Sequence, residues 1–237
     1  MTTAKAPPLD MAGIGNVLRD LYLEADVAPP SAAHPVAPLG PIMDRMPHWL
    51  RCEEIPDLTG QKVCAGLTQR GAVEKAEQFG EATADPLAGF FYACGAYAWI
   101  FVCAGDPVVR KRFSAAHELG HYLLHFRPQM AGSAAIVERE ELPGWRDAFT
   151  AAQSAAIEEG RSDPAKEAEQ TFFQQEREAN AFAAELLMPE EVVRDLTAQF
   201  QNKIRGKNLT GRLAESLLVS RQAMAIRLQN LGMGGAE

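Results

Sequence analysis

The run Arg112-Phe113-Ser114-Ala115-Ala116-His117-Glu118-Leu119-Gly120-His121-Tyr122-Leu123-Leu124-His125 contains the pattern His-Glu-x-x-His. On an α-helix, residues four apart share a face, so His117 and His121 can offer imidazole nitrogens to one metal ion. Glu118, one step round the helix, reaches the edge of that site, where a carboxylate can take a proton from an attacking water. Two neutral imidazoles with a carboxylate are a usual catalytic donor set for zinc, so Zn2+ is the expected ion. Leu119, Tyr122, Leu123 and Leu124 make the helix apolar on most sides, which predicts burial. Two histidines and a glutamate on a buried helix need partners, and a metal supplies them. The bland alternative is a core helix whose histidines are satisfied by hydrogen bonds alone. His125 lies two turns beyond His117, about 12 Å along the axis. One ion cannot bridge that distance, so His125 is expected to support the site from behind or to be structural.

A third ligand has to come from elsewhere in the chain. Phe172-Phe-Gln-Gln-Glu-Arg-Glu-Ala-Asn-Ala-Phe-Ala-Ala-Glu-Leu-Leu-Met188, ended by Pro189, places Glu176, Ala179, Asn180, Ala183 and Leu187 on one helical face. The small residues on that face allow close approach to the first helix, and Glu176 can complete a His2Glu set. Asn180, one turn on, is placed to hydrogen-bond a ligand histidine and fix its ring. Glu178 and Glu185 are expected to face solvent. If Glu176 were a surface charge, Glu138, Glu140 and Glu141 would be the other candidates for the third ligand.

The elements that must carry these helices can be read in outline. Ile14, Val17, Leu18, Leu21 and Ala25 predict an amphipathic helix over residues 10–25. Six prolines between Ala28 and Pro47 predict a loop or extended covering segment rather than a regular element. Leu50–Ile55 reads as a short strand, and a helix is expected around Ala72–Phe79. Gly89–Cys94 and Ala96–Cys103 are rich in aromatic and β-branched residues around Gly95, which predicts a hairpin. Asp106-Pro107 then opens the histidine helix, with aspartate as its cap. Residues 130–170 hold nine acidic and four basic side chains and read as a solvated insertion, helical over Ala148–Ile157 and broken at Gly160–Pro164. At the C-terminal end, Leu209–Leu231 predicts two helices, the second capped by Ser220. Leu213, Leu217, Ala223, Ile226 and Leu228 are the expected buried set of this helix-turn-helix-like pair.

The chain has 237 residues, a net charge of −8 and 47% hydrophobic residues, which suits one sizeable core and does not suit a nucleic-acid binder as a whole. Residues 201–237 are the exception, with six basic and two acidic side chains. That bias permits DNA contact, although packing of the helical pair on the core is the preferred reading. No apolar run reaches the roughly 18 residues that span a bilayer, and the first residues lack the apolar centre of an export signal. With that, Cys52, Cys64, Cys94 and Cys103 are expected to be reduced and the protein cytoplasmic.

Together, Arg112–His125 and Glu176-Arg-Glu-Ala-Asn-Ala-Phe-Ala-Ala-Glu-Leu-Leu-Met-Pro189 resemble the ImmA/IrrE family of zinc metallopeptidases, a gluzincin-like group. The hairpin before the helix and Val219-Ser220-Arg221-Gln222-Ala223 with Arg227-Leu228 are similar too, so the resemblance covers roughly residues 87–127 and 172–232. It implies that His117, His121 and Glu176 bind zinc and that Glu118 is the general base. It also implies a regulatory protease that cleaves a helix-turn-helix repressor in a stress-response or mobile-element circuit. The 55-residue gap from His121 to Glu176 is longer than the family's, and residues 57–86 also look inserted.

The expected fold is α+β: a small antiparallel sheet packed on a helical, zincin-like core, with a C-terminal helix-turn-helix-like module. The expected organisation is a helix and proline-rich cover over 1–48, the peptidase domain over 49–200 with its 130–170 insertion, and the module over 201–237. A rival function is a zinc-binding sensor or DNA-binding regulator that sequesters a repressor without cutting it. A complete Glu118 argues against a purely structural metal site, which needs no base. Neither Tyr122 nor His125 can be assigned as the group that stabilises the oxyanion.

Overall fold

The computed structural model describes residues 8–47, 49–72, 84–94, 97–128, 163–201 and 209–233. The expected helix around Ala72–Phe79, the turn at Gly95 and most of the acidic insertion lie outside the described residues. Among those described, eight α-helices and one three-stranded sheet make an α+β fold.

Helix α1 (Met11–Glu24) starts where the Asp10 carboxylate accepts from the Gly13 amide, and it buries Ile14, Leu18 and Leu21. The proline-rich segment after it contains a short helix, α2 (Leu39–Arg45), which the sequence reading had excluded. Proline is tolerated in a first helical turn because the amide it lacks has no intrahelical partner there. Here Pro38 sits at the cap and Pro41 in the first turn, and Leu39 and Ile42 are buried. The segment does act as a cover: Arg112 donates to the Ala37 carbonyl at 3.0 Å.

Strand β1 (Leu50–Ile55) is followed by helix α3 (Gly60–Gln69), capped by the Thr59 hydroxyl. Strands β2 (Gly89–Cys94) and β3 (Tyr97–Cys103) form the expected antiparallel hairpin, Gly89 opposite Val102 and Cys94 opposite Tyr97. Strand β1, however, adds to β3 in parallel, Leu50 opposite Ala98 and Ile55 opposite Cys103. The sheet is therefore mixed, in the order β1-β3-β2, rather than wholly antiparallel.

Side chains alternate across β3 because successive residues in a strand face opposite ways. Ala98, Ile100 and Val102 join the main core with the helices, whereas Trp99 and Phe101 join Leu58, Val63, Cys64, Leu67 and Tyr92 in a second cluster under α3. A fully buried large apolar side chain contributes about 1.5–3 kcal/mol. Leu58, Leu67 and Phe101, each fully buried, are what hold α3 to the sheet.

Helix α4 (Val108–His121) packs against both hairpin strands and against α5 (Asp163–Leu187). Its N-cap is Pro107 without a side-chain cap bond, and Asp106 instead pairs with Arg110 at 3.3 Å. After Met188-Pro189 come α6 (Glu190–Gln201), α7 (Leu209–Leu217) and α8 (Arg221–Asn230). The Ser220 hydroxyl caps α8 by accepting from the Ala223 amide at 3.1 Å, as expected. Leu213, Leu217 and Leu228 are buried, but Ile226 is 51% exposed, and Arg227 takes the inward position beside it. That inversion has a local cause: the Arg227 guanidinium meets the Glu185 carboxylate and donates to the Met188 carbonyl at 3.0 Å. Glu185, expected to face solvent, is thus the half-buried anchor of the C-terminal pair. No helix among the described residues is long and apolar enough to cross a membrane.

Candidate metal centre

Two helices build the site, and a glycine sets their distance. A Cβ on Gly120 would lie 3.2 Å from the Ala179 Cα and 3.1 Å from Phe182. Only the missing side chain of Gly120 and the small Ala179 let α4 and α5 come this close. That approach brings Glu176 over the two histidines. Its Oε1 lies 3.0 Å from His121 Nε2 and its Oε2 lies 3.3 Å from His117 Nε2. The two Nε2 atoms are 3.1 Å apart.

His117, His121 and Glu176 therefore form a group that could hold a metal ion, with ligand atoms all within 4.8 Å of one another. Donors about 2.0–2.1 Å from a tetrahedral ion lie roughly 3.3–3.4 Å apart, close to the spacing found here. Three protein donors also leave a fourth position for a reactant. The residues present fit a bound ion.

The charges around the group are strongly biased. Hydrogen bonds from His117 and His121 hold the Glu176 carboxyl well below the usual carboxylate range. Burial alone would lower the His117 pKa, but Glu176, the charge of Glu118 and a hydrogen bond to Asn180 outweigh it and leave the imidazole above its ordinary value. Asn180, expected to fix a ligand histidine, is exposed and has the smallest of these effects on His117. Glu118 is buried without a hydrogen-bonded cation, and burial pushes its pKa up to about 7, with His117 opposing and Glu176 adding to the rise. A carboxyl poised near neutrality suits proton transfer in both directions.

Gly89, the first residue of β2, presses on this base: a Cβ there would lie 2.6 Å from the Glu118 Oε1. Tyr122 is buried and its hydroxyl accepts from Trp49 Nε1 at 3.3 Å.

Beyond His121 the helix widens into a π turn, Tyr122–Phe126, of the kind found disproportionately at functional sites. His125 Nδ1 lies 3.2 Å from His121 Nδ1, and His125 Nε2 lies 3.1 Å from the Glu178 Oε2. Burial pushes the His125 pKa down, against Glu178. Sequence reasoning missed Glu178, assigning it to solvent. Two residues along a helix is about 200° of rotation from Glu176, so the face argument excluded it. Its pairing depends on where the π turn carries His125, and spacing alone does not reveal that. Glu138, Glu140 and Glu141 lie outside the described residues.

A protein-family model described as the IrrE N-terminal-like domain, a peptidase family, matches residues 81–229 of the chain. The match spans the hairpin, both site helices and the C-terminal pair. Comparison with curated proteins gives no match.

Proposed function

Because the chain belongs to the IrrE N-terminal-like family of metallopeptidase type, we propose that it is a zinc-dependent endopeptidase acting on a protein partner, most simply a helix-turn-helix repressor. The observation that carries the chemistry is the convergence of two Nε2 atoms and one carboxylate beside the buried Glu118. His117, His121 and Glu176 would hold the ion. A bound zinc supplies polarisation of the scissile carbonyl and acidifies the attacking water. Glu118 takes the proton of that water and returns it to the leaving amine. Its burial keeps the proton shuttle dry, and the missing side chain of Gly89 leaves its carboxylate room.

The repressor as substrate rests on the resemblance of the motifs. In the C-terminal pair Arg227 is committed to Glu185 and Met188, which removes it from contact with a phosphate backbone.

The test is co-expression of a candidate repressor with the wild type and with Glu118→Gln. The variant is expected to retain zinc and to bind the repressor without cutting it. If the wild type binds the repressor, leaves it intact and relieves repression as well as the variant does, the sequestering sensor is the better account. Tight, salt-sensitive DNA binding by the intact protein would favour the DNA-binding regulator instead.

A further inference from the structure

We propose that His125 and Glu178 are positioning residues that fix the tautomer and ring orientation of His121, through a one-way chain of hydrogen bonds. The proposal rests on the reading of His121 as a metal ligand through Nε2, the atom that faces Glu176 and His117.

With His121 Nε2 on the ion, the proton count along the chain has one solution. A neutral imidazole that offers the Nε2 lone pair carries its proton on Nδ1. The neighbour of that Nδ1 is His125 Nδ1 at 3.2 Å, which must then accept. His125 consequently carries its own proton on Nε2, and Nε2 lies 3.1 Å from the Glu178 Oε2. A carboxylate there only accepts, so it selects this tautomer of His125 and, through it, the matching tautomer of His121. With the proton on His125 Nδ1 instead, His121 Nδ1 would have to accept and its Nε2 would be blocked by hydrogen.

The carboxylate is itself held. Gln174 donates from Nε2 to the Glu178 Oε1 at 2.7 Å, and Arg177 donates to the Gln174 Oε1 at 2.8 Å, which fixes which end of the amide faces Glu178. Every donor in the set thus points toward Glu178. Both imidazoles are buried, so neither can trade its partner for bulk water.

Outer partners of a ligand histidine typically matter by 10–100-fold in metal affinity. The experiment uses the full chain and reads zinc affinity by chelator competition, together with the ring tautomers by nitrogen-15 NMR of the histidines. Expected are Nδ1–H on His121 and Nε2–H on His125, a loss of about tenfold in zinc affinity for Glu178→Ala, and a loss of about 10–100-fold for His125→Leu. His125→Asn, whose carboxamide oxygen can accept near the place of Nδ1, should recover most of the His125→Leu loss.

Glu178 is partly exposed, so Glu178→Ala should fold. Should His125→Leu fail to fold, Glu178→Ala and the tautomers decide. A proton on His125 Nδ1 in the wild type, or unchanged zinc affinity in folded Glu178→Ala, overturns the proposal. So does a His125→Asn variant no better than a folded His125→Leu. A wild type that takes up no zinc refutes the ligand assignment and the proposal with it, whereas a zinc-loaded wild type with the proton on His125 Nδ1 refutes the proposal alone.

Discussion

Glu176 and Glu185, both partly buried on helix α5, lie nine residues apart, and their surroundings differ in one respect. Glu185 has a permanent cation, the Arg227 guanidinium from α8, and its other oxygen accepts from the Glu190 amide at 3.1 Å. Glu176 faces two imidazoles and no such permanent cation among the described residues. The first carboxylate is complete as the chain folds. The second joins two imidazole nitrogens in a group that could hold a metal ion. A charged residue on a small-residue helix face therefore gains meaning from the partner it lacks as much as from the one it has.

The largest effects should separate the two ends. Glu176→Gln should abolish stoichiometric zinc binding, read by metal analysis of the purified protein, and leave a folded chain. Glu118→Gln should keep the ion but lower cleavage by about 10²–10⁴-fold, the usual worth of a general base.

At the other end, Arg227→Met strands the Glu185 charge. Breaking a buried pair on one side costs about 3–5 kcal/mol. Glu185 retains some solvent access, so the lower end of that range is expected in denaturant titration, with zinc stoichiometry unchanged in the folded fraction. The double variant Glu185→Gln with Arg227→Met should recover most of the loss.

Gly120→Ala tests what brings the helices together. Its Cβ would meet backbone and the Phe182 ring, so α5 must shift by a few tenths of an ångström. A loss of about 1–2 kcal/mol in stability is expected, accompanied by weaker zinc binding that Arg227→Met does not show. Ser220→Ala, which removes the α8 cap, should cost about 1 kcal/mol and leave the metal site untouched.

A pH series on chelator-treated protein gives a signed check. The Glu118 pKa is raised to about 7 in the folded state, against an ordinary value near 4.5. Between those values the unfolded chain binds fewer protons, so this residue lowers stability as pH rises through the window. Glu176 has the opposite sign, since its pKa is depressed: its contribution is present above the ordinary value and fades as pH falls. Thermal melts at pH 5, 6 and 7 should therefore decline less for Glu118→Gln than for wild type. Parallel curves would show that Glu118 is not held protonated by burial.

What the sequence made legible was local. His117 and His121 share a face through helical spacing, Ala179 and Ala183 mark a helix built for close contact, and the β2–β3 hairpin is written in aromatic and β-branched residues. What stayed hidden depended on distant partners. Strand β1 was recognisable, but its parallel seat beside β3 is not encoded in its own six residues. Glu185 looked like a surface charge because Arg227 is 42 positions away, and Ile226 looked buried because apolar character was weighed without that ion pair. Helix α2 was hidden by prolines that happen to occupy the positions a helix start tolerates. The His125–Glu178 contact needed the π turn, which periodicity does not announce.

Gly89 carries no functional group and lies outside the His-Glu-x-x-His run, yet its missing side chain leaves the space that the Glu118 carboxylate fills. The obstacle to a side chain there is mainly the flexible end of Glu118, so a substitution would displace the base sooner than unfold the strand. In a library of single substitutions sorted once for abundance and once for cleavage, position 89 should therefore pass the first sort and fail the second, grouping with the proton-transfer residue rather than with the glycines of turns.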